Sequence, residues 1–465
     1  MQTRLPSPQK PSPLQEILRQ RRQQLAQQVS FPVVLWSGRQ SSRNFPANPF
    51  PFRASSHFLY FAGLPIENAA IRLENGRLEL FVDDPTPASI LWHGETVRRD
   101  ELAAQIGADA AYPFAQLKAR LTDAATIPVQ DAATRLQQSQ LLDRMMAPAS
   151  QLQERDRSLA EAIVQIRLIH DDGAIAELRK AAAVSVEAHG AGMAATLPGK
   201  TEAQIRAVME SVISSHNMTP AYGSIVTIQG EVLHNDRYHH RLNSGDLLLV
   251  DVGAEAESGW ASDITRTLAV SGKFSPTQRD LYEVVLAAHD RCIEAVRPGV
   301  EYRSIHLLGA KVLAEGLVDL GILRGQPEDL VDRDAHSLFF PHGIGHLLGL
   351  DVHDMEDLGD LAGYALGRTR SDRFGLGYLR LDRTLQAGMA VTIEPGFYQV
   401  PAILNDPQRR ETYRDLVNWE RLSEFSDVRG IRIEDDVLVT EDGSEVLTAD
   451  LPNGIEAIEQ IVSGS

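Results

Sequence analysis

VEAHGAGMAATLPGKTEAQI, residues 186–205, and LAAHDRCIEAVRPGVEYRSI, residues 286–305, align without a gap at an offset of one hundred. Ala188, His189, Ala195, Pro198, Gly199 and Ile205 recur as Ala288, His289, Ala295, Pro298, Gly299 and Ile305. Each copy reads as helix, Pro-Gly break, helix. Thr201 and Gln204 have the spacing of a capping box, and Ser275 with Pro276 offers an N-cap followed by proline at the first helical position. Strand-rich sequence follows each helix pair, GDLLLVDVGAE (245–255) in the first half and GMAVTIEPGFY (388–398) in the second. Residues 174–465 therefore read as one domain of two related halves, and such a domain places a site between its halves.

Upstream the pattern changes. Residues 1 to 13 are rich in Pro and Ser, and an amphipathic Arg/Gln-rich helix is predicted over 14–28. FPVVLW, AAIRL, RLELFV and SILWHG then read as strands alternating with helical stretches such as RDELAAQI. This is an α/β domain over 14–150, with a polar linker expected around 145–160. The chain has 465 residues, enough for two cores. Its 45 basic and 63 acidic side chains give a net charge of −18, which disfavours nucleic acid and anionic membrane surfaces as partners. No run of about 18 apolar residues spans a bilayer, and the N-terminus has no apolar signal segment. The single cysteine, Cys292, excludes an intrachain disulfide and a Cys-based zinc site, and a cytoplasmic location is expected.

Five polar groups interrupt apolar strand sequence: Asp251 after LLLV, Asp263 in WASDITRT, His346 in PHGIGHLLGLDVHD, Glu394 after MAVTI, and Glu434 in GIRIEDDVLV. Each alone has an ordinary structural reading. Asp251 suits a strand end, Asp263 a pair with Arg266, Glu434 a pair with Arg432 on the same strand face, and His346 a core position. Together they are four carboxylates and an imidazole in apolar surroundings, an arrangement that is costly without compensating cations. Divalent metals supply them. Oxygen ligands with one imidazole suit Mn²⁺, Co²⁺ or Zn²⁺, and four carboxylates carry more charge than one ion needs, which points to two.

In order and in flanking sequence (DVGAE, SDITRT, HGIGHLLGLDVHD, TIEPGFY, GIRIEDD), these five residues resemble the metal ligands of the pita-bread metallopeptidases, the family of aminopeptidase P, prolidase, methionine aminopeptidase and creatinase. FRASSHFLYFAGL and ILWHG resemble the N-terminal domain of the proline-specific branch. The resemblance implies a pita-bread catalytic domain and two ions, Mn²⁺ foremost. Asp263 and Glu434 would bridge them, Asp251 would complete one sphere, and His346 with Glu394 the other. It implies cleavage between an N-terminal residue and a following proline, with Glu394 as proton shuttle. His234 in GEVLHND, His342 and His353 match family histidines that orient the carbonyl, stabilise the oxyanion and shape the proline pocket. His239 and His240 have no such counterpart and read as surface residues. Trp92 matches a tryptophan that reaches a neighbouring subunit's site, implying a homo-oligomer, a dimer or tetramer. Tyr398, Arg380 and Arg432 are placed on the substrate side. One departure stands out: Asp251 and Asp263 lie twelve positions apart where the family has eleven, an extra residue assigned to the turn around Glu255–Gly259.

Proline-containing peptides are thus the expected substrates, by an Xaa-Pro aminopeptidase. An Xaa-Pro dipeptidase is the alternative, because Arg380 resembles the prolidase arginine for a dipeptide carboxylate, with Arg383 as its substitute, and because the segment between Glu394 and Glu434 is long. An inactive pita-bread binding module is the remote alternative; it conflicts with the presence of all five ligands.

Overall fold

A computed structural model describes residues 12–148, 151–152 and 154–464. The chain divides into two compact units, residues 1–173 with 357–361, and residues 174–356 with 362–465.

The first unit is α/β. Its five-stranded mixed sheet runs in the order Ala110–Tyr112, Arg77–Phe81, Ala70–Glu74, Val33–Trp36, Ala125–Thr126. One cluster of its core comprises Val34, Trp36, Ala70, Phe81 and Leu117. The first helix spans Pro13–Gln28, started by a capping box between Ser12 and Gln15 with Pro13 at its first turn. Two expectations need correction. SILWHG is not a strand: Thr86 caps a helix over Pro87–His93, whose Pro87 suits the first turn and forbids a ladder donor. The stretch 145–160 is not all linker, because a helix begins at Glu154 and runs to Arg167.

In the second unit the duplication is visible in hydrogen bonds. Helices Asp172–Ala195 and Glu202–Ser215 form one pair, Pro276–Ala295 and Tyr302–Asp319 the other. At the break between partners, Gly199 N donates to Leu242 O at 2.8 Å and Gly299 N to Leu385 O at 2.8 Å. Thr201 then bridges to Arg241, and Glu301 to Thr384.

Strand register brings the acidic residues together. Leu247–Asp251 pairs antiparallel with Thr265–Ala269, Asp251 facing Thr265. Thr265 in turn bridges antiparallel to Glu434. Opposed residues share a face and the side-chain period is two. Asp251, Asp263, Thr265 and Glu434 therefore project to one side. Ile393 faces Asp435, and Gly396 faces Arg432 in the same register, which sets Glu394 opposite Glu434. Glu394 N donates to Ile344 O at 2.8 Å and Thr392 N to His346 O at 3.0 Å, adding the PHGIGH segment alongside. Gly345 is required there, since a Cβ would stand 2.2 Å from Thr392 O.

The register between Asp251 and Thr265 continues unbroken through Val252 N to Ile264 O and the Glu255–Ala261 bridge, to Ala256 N and Trp260 O. The hairpin closes over Glu257, Ser258 and Gly259, with Gly259 at φ +91°. The turn thus spans three residues with the register intact on both sides, and Asp251 and Asp263 keep one face.

Candidate metal centre

Asp251, Asp263, His346, Glu394 and Glu434 line a single cavity of about 590 Å³. Donor atoms of Asp251, Asp263 and Glu434 lie within 4.8 Å of one another, as do those of His346, Glu394 and Glu434. Glu434 belongs to both groups. Asp263, His346 and His353 form a third.

The imidazole of His346 is aimed as a ligand needs. Its Nδ1 lies 2.9 Å from Leu347 O, so the proton sits there and donates to the carbonyl. Nε2 then presents its lone pair, 3.4 Å from Asp263 Oδ2 and 3.8 Å from Glu394 Oε1. Fixing the tautomer through the distal nitrogen is the usual preparation of a metal-binding histidine.

The carboxylates are short of protons and cations. Tyr222 Oη lies 2.6 Å from Asp251 Oδ1 and 2.5 Å from Asp263 Oδ1, but a phenol has one proton and serves one of them at a time. Thr265 Oγ1 donates to Glu434 Oε2 at 2.6 Å. Arg432 Nη2 donates to Asp251 Oδ2 at 2.5 Å. Burial pushes the carboxyls of Asp251, Asp263 and Glu434 up, and the charge of neighbouring carboxylates adds to it at Asp251 and Glu434. Burial, with Asp263 and Asp251 acting against Arg432, pushes Glu394 up to about 8. Such a cluster is poorly satisfied by protein groups alone, and the donor set fits divalent cations.

His353 and Arg380 share one partner. Glu356 Oε2 lies 3.1 Å from His353 Nδ1, and Arg380 Nη1 donates to both Glu356 oxygens at 3.0 and 2.8 Å. Against its own burial, Glu356 is held down to about 2 by His353 and Arg380. The His353 ring lies tilted at 39° to that of His346 with centroids 4.0 Å apart; it lines the cavity, and with Nδ1 on Glu356 its uncommitted nitrogen is Nε2.

Other expected residues take different places. His342 lines the cavity, yet both its nitrogens are engaged. Nδ1 lies 2.8 Å from Gly343 O and Nε2 2.8 Å from Tyr398 Oη. Burial holds its pKa down to about 3, so the ring is neutral, donates from Nδ1 and accepts at Nε2. Tyr398 does not line the cavity. It is fully buried, and its hydroxyl is occupied by His342 and by Arg432 Nη1 at 3.1 Å. Arg432 borders the cavity, but its donors serve Asp251, Thr265 Oγ1 at 3.0 Å and Tyr398, so it clamps a carboxylate rather than presenting a charge to substrate. It approaches Glu434 only to 3.9 Å. Arg266 pairs with Asp435, not Asp263. His234 lines the cavity, as does Arg380. Arg383 donates to Ala362 O instead. Trp92, in the first unit, is 79% exposed. His240 is not a plain surface residue, because its ring and backbone N both bind the buried Glu202.

Sequence reasoning missed Tyr222 and Glu356. Neither interrupts an apolar strand, which was the signal that found the others.

A family model for metallopeptidase family M24 matches residues 176–441, and one for the aminopeptidase P N-terminal domain matches residues 18–129. The chain belongs to metallopeptidase family M24. Within that family it groups with the aminopeptidase P branch. A probable Xaa-Pro aminopeptidase of Leptosphaeria maculans is 33% identical over 420 residues, covering 89% of this chain and 72% of that protein. One from Verticillium alfalfae is 32% identical, covering 90% and 89%. Among solved structures, the aminopeptidase PepP of Pseudomonas aeruginosa is 29% identical with a TM-score of 0.79, covering 97% of this chain and 98% of that one. Zinc-substituted Escherichia coli aminopeptidase P in complex with product is 28% identical with a TM-score of 0.76, covering 98% and 99%. This M24 member has the N-terminal α/β and C-terminal pita-bread architecture of those proteins, and it is a metal-binding peptide hydrolase.

Proposed function

We propose that this chain is an Xaa-Pro aminopeptidase working with two divalent ions, manganese in first place and cobalt or zinc as alternatives. The observation that carries the reading is the convergence of three buried carboxylates, the half-buried Glu394 and the His346 Nε2 on one cavity. The names of its relatives support the specificity. Four carboxylates facing Arg432 leave a formal deficit of three positive charges, which two divalent ions with one hydroxide neutralise. Asp263 and Glu434 would bridge, Asp251 would complete one sphere, and His346 with Glu394 the other. Bound divalent metal supplies a Lewis acid for the scissile carbonyl and lowers the pKa of water towards neutrality.

The chain's own groups handle protons and shape. Glu394, at the edge of the carboxylate cluster and lining the cavity, is the group assigned to take and return a proton. The proline nitrogen has no hydrogen and must gain one to leave as an amine. His353 lines the cavity and is anchored at Nδ1 by Glu356, which leaves Nε2 as its nitrogen for that transfer. His234 stands at the same cavity as a further donor to the developing oxyanion. His342, with both nitrogens engaged, acts as a fixed wall. Leu233, Pro341, Val400 and Ile403 add apolar lining for a substrate side chain or ring.

The residue ranges 14–150 and 174–465 are proposed as the two domains, a homodimer or tetramer as the assembly, and the cytoplasm as the location. Assembly is supported by Leu91 and Trp92, 78% and 79% exposed on a helix with no buried residue. The location is supported by a lone, buried cysteine; no described helix is long and apolar enough to cross a membrane. Against the dipeptidase alternative, Arg380 is already neutralised by Glu356, which a dipeptide carboxylate would have to displace.

The test is to load the purified protein with Mn²⁺ and compare an Xaa-Pro dipeptide with an Xaa-Pro-Xaa tripeptide. Faster release of the first residue from the tripeptide is expected. Cleavage of the dipeptide alone would make it a dipeptidase, and failure to bind metal or cut either would make it a binding module.

A further inference from the structure

The two histidines that the duplication sets one hundred positions apart, His189 and His289, are used by none of the chemistry above. Both are 1% exposed, each on the long first helix of its half. His189 Nε2 lies 2.9 Å from Val252 O, the residue after Asp251. His289 Nε2 lies 3.0 Å from Asp435 Oδ2, the side chain after Glu434, as an ion-pair contact outside hydrogen-bond geometry, while its Nδ1 lies 3.1 Å from Asp290 Oδ1. The same position in each half therefore sets its Nε2 against the residue that follows a cavity carboxylate, by a hydrogen bond in the first half and by charge in the second.

The surroundings strengthen the parallel. One turn before His189, Ser185 Oγ accepts from Ala254 N at 2.9 Å, so two side chains on one helix face hold the segment leaving Asp251. Asp435 is held on its other oxygen by Arg266 Nη2 at 2.9 Å and Thr448 Oγ1 at 2.6 Å. Arg266 Nη1 also donates to Glu434 O at 2.7 Å. The strand carrying each carboxylate is thus pinned from behind by a helix. Burial keeps His189 neutral, with a pKa held down to about 3, so its Nε2 carries the proton and donates to the Val252 carbonyl.

We propose that His189 and His289 are a symmetry-related pair of positioning residues that hold Asp251 and Glu434 in the geometry that binds the metal ions. They touch neither metal nor substrate and act through the backbone of Val252 and the side chain of Asp435. The inference rests on the reading of Asp251 and Glu434 as ligands. Groups behind metal ligands typically set affinity by about 10- to 100-fold.

The experiment titrates Co²⁺ into metal-free full-length protein, followed by calorimetry and the visible absorption of bound cobalt, for wild type, Asp263→Ala, His189→Gln, His189→Asn, His289→Gln and His289→Leu. Gln places an amide N–H where Nε2 stands, and Asn is too short to reach Val252 O. Wild type should bind, Asp263→Ala should not, and this arm tests the ligand assignment alone. His189→Asn should then weaken Co²⁺ binding about 10-fold or more with an altered cobalt spectrum, while His189→Gln stays within a few-fold of wild type. His289→Leu should weaken binding in the same way, and His289→Gln should recover much of it. Asn binding as tightly as wild type, or Gln binding as weakly as Asn, overturns the inference while leaving the ligands standing. Should His289→Leu fail to fold, the decision rests on the Asn and Gln forms of position 189, both polar and different only in reach.

Discussion

Arg432 and Asp251 meet through Nη2 and Oδ2 at 2.5 Å, a link between strand Gly430–Arg432 of the second half, which ends two residues before Glu434, and the strand of the first half that ends in Asp251. The same guanidinium reaches Thr265 and Tyr398, a three-way contact that needs the planar fork of arginine. Arg432→Lys should therefore lose about 10-fold or more in kcat with KM little changed, and should require more metal for half-saturation. Steady-state kinetics across a metal titration checks it; a lysine variant with wild-type metal demand would show that only the charge matters.

Asp263 and Glu434 are the carboxylates assigned to both ions. Replacing either by Ala should remove both ions and nearly all activity. Elemental analysis after desalting decides the point, and two-ion occupancy in Asp263→Ala would contradict the bridging assignment.

His353 stands close enough to Asp263 and His346 to be a ligand itself. Its anchoring to Glu356 favours a part in proton transfer instead. His353→Ala should keep its metal content and lose about 100-fold or more in turnover. Metal lost in step with activity would make it a ligand.

Arg380 separates the two closest specificities. A free proline carboxylate is an anion that a guanidinium binds bidentately, and in a longer peptide that charge is gone. For an aminopeptidase, Arg380→Ala should scarcely change the ratio of tripeptide to dipeptide rates. A drop of about 10-fold or more confined to the dipeptide would reverse the assignment.

Acid should draw on the stability of the second unit through two buried histidines that are not among the proposed ligands. Burial holds His306 down to about 4 and His336 down to about 3, against an ordinary value of 6.5. Below pH 6.5 the unfolded chain takes up these protons and the folded chain does not, so stability falls as pH falls, until the folded values are reached. The site carboxyls, raised in metal-free protein, act in the opposite sense, so melts of wild type and His336→Asn are compared from pH 7 to 5, and the variant should lose less stability than wild type over that range. An unchanged slope in that variant would assign the acid sensitivity elsewhere.

What the sequence revealed followed from charge in the wrong company. Asp251, Asp263, Glu394 and Glu434 were legible because each ends or interrupts an apolar strand, and His189 with His289 because a duplication repeats them. Tyr222, in TPAYGSIV, has nothing local to mark a hydroxyl shared by two carboxylates. Tyr398 looked like a pocket residue from its distance to Glu394, but strand Gly396–Tyr398 turns it into the wall behind His342. SILWHG was misread because a short apolar run fits a strand or a helix equally, and the deciding Thr86-Pro87 cap lies just outside it.

The bridge between Thr265 and Glu434 joins positions 169 apart in the chain. Asp251 and Asp263 leave the ribosome long before Glu434 is made, and until that pairing forms the early half holds an acidic pair without its counterpart. A nascent or truncated chain is thus unable to assemble the complete ligand set, and peptide-cutting activity switches on only once the last strands have docked. Closure of this contact, across 169 positions of the chain, is in this way also the step that completes the acidic cluster.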